Sequence, residues 1–165
     1  MFEDPKDLEE MIRRMRAHWD RGNVDAGATT VRLYRARDKL YANARAVMEQ
    51  YDLNPGEYDT LASLRKMGPP YEGTPTFICH ANVVSSGGLT KVLNSLEKRG
   101  YITRKPNADD LRSRVVKLTK KGLKLIEDAL AEMLARQEKT LAAALAKKER
   151  EELDRLLIKL NAKVE

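Results

Sequence analysis

Apolar residues recur at spacings of three and four through nearly the whole 165-residue chain, and the period turns β-like once, after Gly100. A chain of that pattern folds as a mainly α protein with one small hairpin. Leu8, Met11, Ile12, Met15 and Trp19 form the first stripe, over residues 6 to 20, before Gly22 and Asn23 interrupt it. A second helix is expected from about Ala28 to Tyr51, with Val31, Leu33, Tyr34, Leu40, Tyr41, Ala44, Val47 and Met48 as candidate core. Asn54-Pro55-Gly56-Glu57 supplies a cap, a proline at the first helical position and a Glu three residues after the cap, so a third helix starts there and stops at Gly68-Pro69-Pro70. Thr74-Pro75 repeats the signal for a short helix ending near Ala81, and Ser85 can cap another that ends at Gly100. Beyond it, Tyr101-Ile102-Thr103-Arg104 and Val115-Val116-Lys117-Leu118 flank the turn-forming run Pro106-Asn107-Ala108-Asp109-Asp110, the pattern of a β-hairpin. Thr119 caps a long helix carrying Leu123, Ile126, Leu130, Met133, Leu134, Leu141 and Leu145; a break is expected at Lys147-Lys148-Glu149-Arg150, followed by a last stripe of Leu153, Leu156, Leu157 and Leu160.

Charge picks out one part of this outline. The whole chain carries a net +6, yet residues 85 to 124 hold eleven Lys and Arg against three acidic residues, a local excess of +8 that leaves the other 125 residues at −2. A concentrated basic segment is either a solvated face or the footprint of a polyanion. The helix from Ser86 to Arg99 favours the polyanion. Its apolar residues Leu89, Val92, Leu93 and Leu96 occupy one face, which leaves Ser86, Thr90, Lys91, Asn94 and Lys98 on the others. Short hydroxyls, an amide and cations are the groups that bond phosphates and base edges in a major groove. Gly87 and Gly88 cost helix propensity, about 1 kcal/mol each relative to Ala, and permit close backbone approach. Two short helices, a third of about fourteen residues and a basic hairpin make a winged helix-turn-helix.

Ser85-Ser86-Gly87-Gly88-Leu89-Thr90, Leu96-Glu97-Lys98-Arg99-Gly100-Tyr101-Ile102, Asp110-Leu111-Arg112-Ser113 and Val116-Lys117-Leu118-Thr119-Lys120-Lys121-Gly122 resemble the recognition helix, helix end and wing of the MarR family of bacterial transcriptional regulators. The resemblance spans residues 28 to 163. It implies a homodimer whose long terminal helices interdigitate and whose two winged domains address a pseudo-palindromic operator in double-stranded DNA, as a repressor. The expected division is 1–52 for an extra helix and a dimerisation helix, 53–122 for the DNA-binding domain and 123–165 for C-terminal dimerisation helices. Expected DNA contacts are Ser85, Ser86, Thr90, Lys91, Asn94, Lys98, Arg112 and Arg114. An arginine at the hairpin tip can enter a narrow minor groove, and Asp110 is placed to pair with Arg112 and hold the wing in shape. Many family members carry two consecutive arginines after that Asp; here Leu111 precedes Arg112.

A narrower resemblance concerns the first helix. Leu8-Glu9-Glu10-Met11-Ile12-Arg13 leading to Trp19-Asp20-Arg21, with Glu57-Tyr58-Asp59-Thr60-Leu61 and Gly68-Pro69-Pro70, is similar to the urate-responsive HucR/PecS/MftR subgroup. That likeness implies an effector site of Trp19, Asp59 and Arg104, with Lys91 where a binding Arg is usual, and DNA release when a small aromatic anion such as urate binds. Lys lacks the planar fork of Arg, so the change alters how an anion is gripped. The competing assignment makes Trp19 a core anchor and Asp59 a surface charge.

Other classes have little support. Cys79 is the sole cysteine and is read as a buried structural thiol rather than a redox switch. His18 and His80 with one Cys do not make a zinc-ligand spacing, and no cofactor or metal is expected. No catalytic motif appears, so an enzyme is not expected. The acidic, polar N-terminus is no signal peptide and no apolar run spans a membrane, which gives a cytoplasmic expectation. The alternatives are a dimeric winged-helix interaction module, or a DNA binder without sequence preference or ligand response.

Overall fold

The computed structural model describes residues 5–82, 86–106 and 114–163. In chain order the elements are α1 (Pro5–His18), α2 (Val24–Gln50), α3 (Pro55–Lys66), β1 (Glu72–Gly73), α4 (Pro75–Asn82), α5 (Ser86–Lys98), β2 (Ile102–Pro106), β3 (Arg114–Leu118), α6 (Lys120–Ala144) and α7 (Lys147–Asn161). Two compact units divide at Ala42 and Asn43, within α2.

In the first unit, α2 begins at Val24, four residues ahead of the expected start. Asn23 is the reason: its side-chain oxygen accepts the Ala26 N–H at 3.0 Å, so the residue read as an interruption caps the helix. Ile12 and Ala28 are fully enclosed here, and ion pairs Arg32–Glu9 at 2.6 Å and Arg16–Asp25 at 2.7 Å join α1 to the start of α2. Trp19 falls just past the end of α1 and is 61% exposed. Trp19 therefore does not anchor the core of the first unit.

The second unit holds the main core. Val47 and Met48 from α2, Leu61 and Leu64 from α3, Ile78 from α4, Leu93 and Leu96 from α5, Ile102 and Val116 from the sheet, and Ile126 and Met133 from α6 pack as one cluster. α3 starts on the expected capping box, with Asn54 Oδ1 accepting from Glu57 N at 3.0 Å and Glu57 Oε2 from Asn54 N at 3.1 Å. The hairpin pairs β2 with β3 antiparallel, Ile102 opposite Leu118 through Pro106 opposite Arg114. A third strand was not expected: β1 pairs with the other edge of β3, Glu72 opposite Lys117 and Gly73 opposite Val116. Two residues are too few to show an alternating pattern, and only tertiary pairing makes them a strand.

The helical break also moves. α6 ends at Ala144 and α7 begins at Lys147, so Leu145 and Ala146 form the break and Lys147-Lys148-Glu149-Arg150 is the first turn of α7. Glu149 Oε2 accepts the Ala146 N–H at 2.7 Å, the helix-start signal behind the charge run. α7 buries no residue, and Leu156 and Leu160 stay 47% and 44% exposed, as does Leu134 on α6 at 63%. No helix among the described residues is long and apolar enough to cross a membrane.

Candidate nucleic-acid interface

α5 presents the face expected of it. Leu89, Leu93 and Leu96 are buried against the core while Thr90, Lys91, Asn94 and Lys98 are exposed. A Cβ built on Gly87 would meet nothing within 4 Å, so no contact among the described residues requires that glycine. Ser86 opens the helix. Ser85, Asp110, Leu111 and Arg112 lie outside the described residues; Arg114 is exposed at the start of β3.

The C-terminal end of α5 is closed by Gly100 at φ +74°, with Tyr101 N–H bonded to Leu96 O at 2.9 Å and Gly100 N–H to Glu97 O at 2.9 Å. The chain then passes directly beneath α6. Thr119 Oγ1 donates to Gly100 O at 2.8 Å and accepts the Gly122 N–H at 3.0 Å, while Thr119 N–H bonds Tyr101 O at 3.0 Å. Gly122 sits so close that an added Cβ would lie 1.9 Å from the Tyr101 carbonyl oxygen. Within the Leu-Thr-x-x-Gly run, Gly122 is therefore a steric requirement of the joint between wing and long helix and Thr119 its hydrogen-bonding link.

Two polar clasps hold α5 against its neighbours. Glu57 is 3% exposed, and besides capping α3 its carboxylate accepts from the Ser95 hydroxyl at 2.6 Å and from Arg99 Nη1 at 3.3 Å. Arg99 Nη2 also donates to Asp52 O at 2.7 Å, and its guanidinium lies 4.9 Å from the Tyr101 ring centroid. On the wing side, Arg104 holds Glu97 through Nε at 2.8 Å and through Nη2, and Nη2 donates to Asn94 Oδ1 at 2.8 Å. The hydrogen bond from Arg104 is the main cause holding the Glu97 carboxyl below the usual carboxylate range. Sequence reasoning singled out Arg104 and Asn94 but missed Ser95, Glu97 and Arg99, and saw Glu57 only as a cap. Nothing local marks a capping Glu as one that also reaches across to another helix.

Of the expected effector residues, Arg104 on β2 and Lys91 on α5 belong to the second unit, as does Asp59 on α3. Asp59 is exposed as a residue, yet enough protein surrounds its carboxyl that desolvation raises its pKa, with the Lys66 charge opposing. Trp19 belongs to the first unit. Cys79 is partly buried and packs on the core.

Known proteins share both sequence and fold. The family described as "MarR family" matches residues 51–113. The chain is 32% identical to the HTH-type transcriptional regulator PecS of Dickeya dadantii (strain 3937), over 74% of this chain and 69% of that protein. Among solved structures it resembles a point mutant of MarR from E. coli complexed with operator DNA, with 25% identity, TM-score 0.65, and coverage of 80% of this chain and 95% of that one. It also resembles NadR in complex with 4-hydroxyphenylacetate, with 25% identity, TM-score 0.64, and coverage of 88% and 96%. PecS is described as an HTH-type transcriptional regulator, and the MarR structure holds operator DNA.

Proposed function

This chain belongs to the MarR family of DNA-binding transcriptional regulators, and on that premise we propose that it acts as a homodimeric repressor of a pseudo-palindromic operator, released by a small aromatic anion. The observation that carries the DNA reading is the exposed face of α5, Thr90, Lys91, Asn94 and Lys98, backed by a buried apolar stripe. In this reading Ser85, Ser86 and the α5 face enter the major groove, Arg114 and Arg112 follow the flanking groove, and Asp110 steadies the wing. Dimerisation is supported by the apolar residues that one protomer leaves uncovered on α6 and α7.

The effector reading rests on Arg104. Its side chain bridges the wing strand and α5, so an anion that draws the guanidinium away from Glu97 and Asn94 acts directly on the reading helix. The sequence resemblance adds Trp19, whose flat ring suits an aromatic ligand, and Asp59 and Lys91 to the proposed effector residues. The ligand in the NadR structure, 4-hydroxyphenylacetate, is an aromatic anion of the proposed class.

The test is selection of bound duplex from a random pool, repeated with urate, xanthine and 4-hydroxyphenylacetate. An operator should emerge, its affinity should fall steeply with salt as phosphate contacts require, and Arg112→Ala should weaken it by about tenfold or more. Equal affinity for random duplex would leave a binder without sequence preference, and salt-independent association an interaction module. Failure of all three anions either to quench Trp19 fluorescence or to release DNA removes the effector assignment.

A further inference from the structure

Apolar packing of Leu89, Leu93 and Leu96 holds α5 to the core. Directional bonds on its flanks add to that packing in setting its rotation. On the side away from the wing these converge on one buried anion. Glu57 takes the Ser95 hydroxyl at 2.6 Å and Arg99 Nη1 at 3.3 Å, on successive turns of one α5 face and its end, and it is itself locked to the start of α3 through Asn54 N–H at 3.1 Å. Beside this point lies an open cavity of about 350 Å³ bordered by Arg45, Glu49, Asp52, Glu57 and Arg99. Open space therefore borders the clasp on that side, and its hydrogen bonds act with the packing of Val92 over Gly56 in setting the angle.

We propose that Glu57 is a positioning residue that sets the rotation of α5 through Ser95 and Arg99, and so determines sequence discrimination on DNA without touching DNA. The proposal rests on α5 being the reading helix. A rotation of about 20° moves a side-chain tip at the helix surface, roughly 5–6 Å from the axis, by about 2 Å. Hydrogen bonds to base edges do not survive such a shift. Lysine contacts to phosphates, made by long flexible side chains, do.

Glu57→Gln separates the roles, because a Gln whose one oxygen caps Asn54 N–H keeps only a neutral acceptor for Arg99 on that same atom and turns its NH2 to Ser95, so the charge-assisted bond from the Ser95 hydroxyl is lost. The experiment measures affinities of wild type, Glu57→Gln, Ser95→Ala, Ser95→Thr and the Glu57→Gln/Ser95→Ala double variant for the selected operator and a scrambled duplex, at one salt concentration, with circular dichroism melts for folding. The operator-to-scrambled ratio should fall by about tenfold, the scale of one lost base-edge contact, in Glu57→Gln and in Ser95→Ala. Scrambled affinity should stay at the wild-type value, Ser95→Thr should keep the ratio, and the double variant should be no worse than the poorer single. A wild-type ratio in folded Ser95→Ala or Glu57→Gln overturns the proposal alone. A wild-type protein that selects no sequence overturns the parent reading, and this one with it.

Discussion

Gly122→Ala puts two physical arguments in opposition. Gly122 is the third residue of α6, and helix propensity by itself favours Ala there by about 1 kcal/mol. Space opposes it, since the new Cβ would lie 1.9 Å from Tyr101 O and 2.8 Å from Tyr101 C, both backbone atoms that cannot rotate away. An ordinary carbon–oxygen contact is about 3.3 Å, so the start of α6 must retreat by roughly 1.4 Å from Tyr101. That movement stretches Thr119 Oγ1 to Gly100 O, now 2.8 Å, Thr119 N–H to Tyr101 O, now 3.0 Å, and Lys121 Nζ to Arg99 O, now 3.0 Å. Overpacking of about 1–3 kcal/mol and weakening of the two Thr119 hydrogen bonds by about 1 kcal/mol each, with the flexible Lys121 side chain able to follow its acceptor, less the propensity gain, leave a loss of about 2–4 kcal/mol. Urea unfolding at fixed protomer concentration, followed by far-ultraviolet circular dichroism, should show the midpoint falling by about 1–2 M at the usual slope for a chain of this size. A midpoint at or above wild type refutes the steric argument and leaves propensity the winner.

Other outcomes follow from particular groups. Thr60 is 1% exposed and its hydroxyl has no hydrogen-bond partner among the described residues, so Thr60→Val should raise stability by about 1 kcal/mol in the same urea assay; a loss would mean the hydroxyl is satisfied in solution. The Glu97 carboxyl is depressed by Arg104, so its contribution to stability is complete above its ordinary value of 4.5 and is lost as pH falls through the folded value. Glu97→Gln should therefore narrow its stability deficit as pH drops below 4.5, and a deficit independent of pH would contradict the clasp. Leu156→Arg places a charge on the uncovered face of α7 and should raise the dimer dissociation constant by at least about 100-fold, measured by sedimentation; an unchanged constant removes α7 from the interface.

Local chemistry was enough to locate most of the elements. Caps act over three or four residues, so Asn54 with Glu57, Thr119 and the glycine at 100 announced their helix ends directly. The inward stripe of α5 followed from periodicity, and the basic excess from counting. Even there, Asn23 and Glu149 show that a residue read as a breaker can be a cap.

Only the tertiary structure decided what depends on distance through space. β1 exists because β3 lies beside it; Gly122 is obligatory because Tyr101 O occupies the volume a Cβ needs; Ser95, Arg99 and Glu57 become one clasp because α3 and α5 cross there. The sequence determined the elements and the face each turns inward, because caps and periodicity are local. It could not determine which exposed polar groups meet, because those contacts join residues as far apart as Glu57 and Ser95, whose pairing no local pattern encodes.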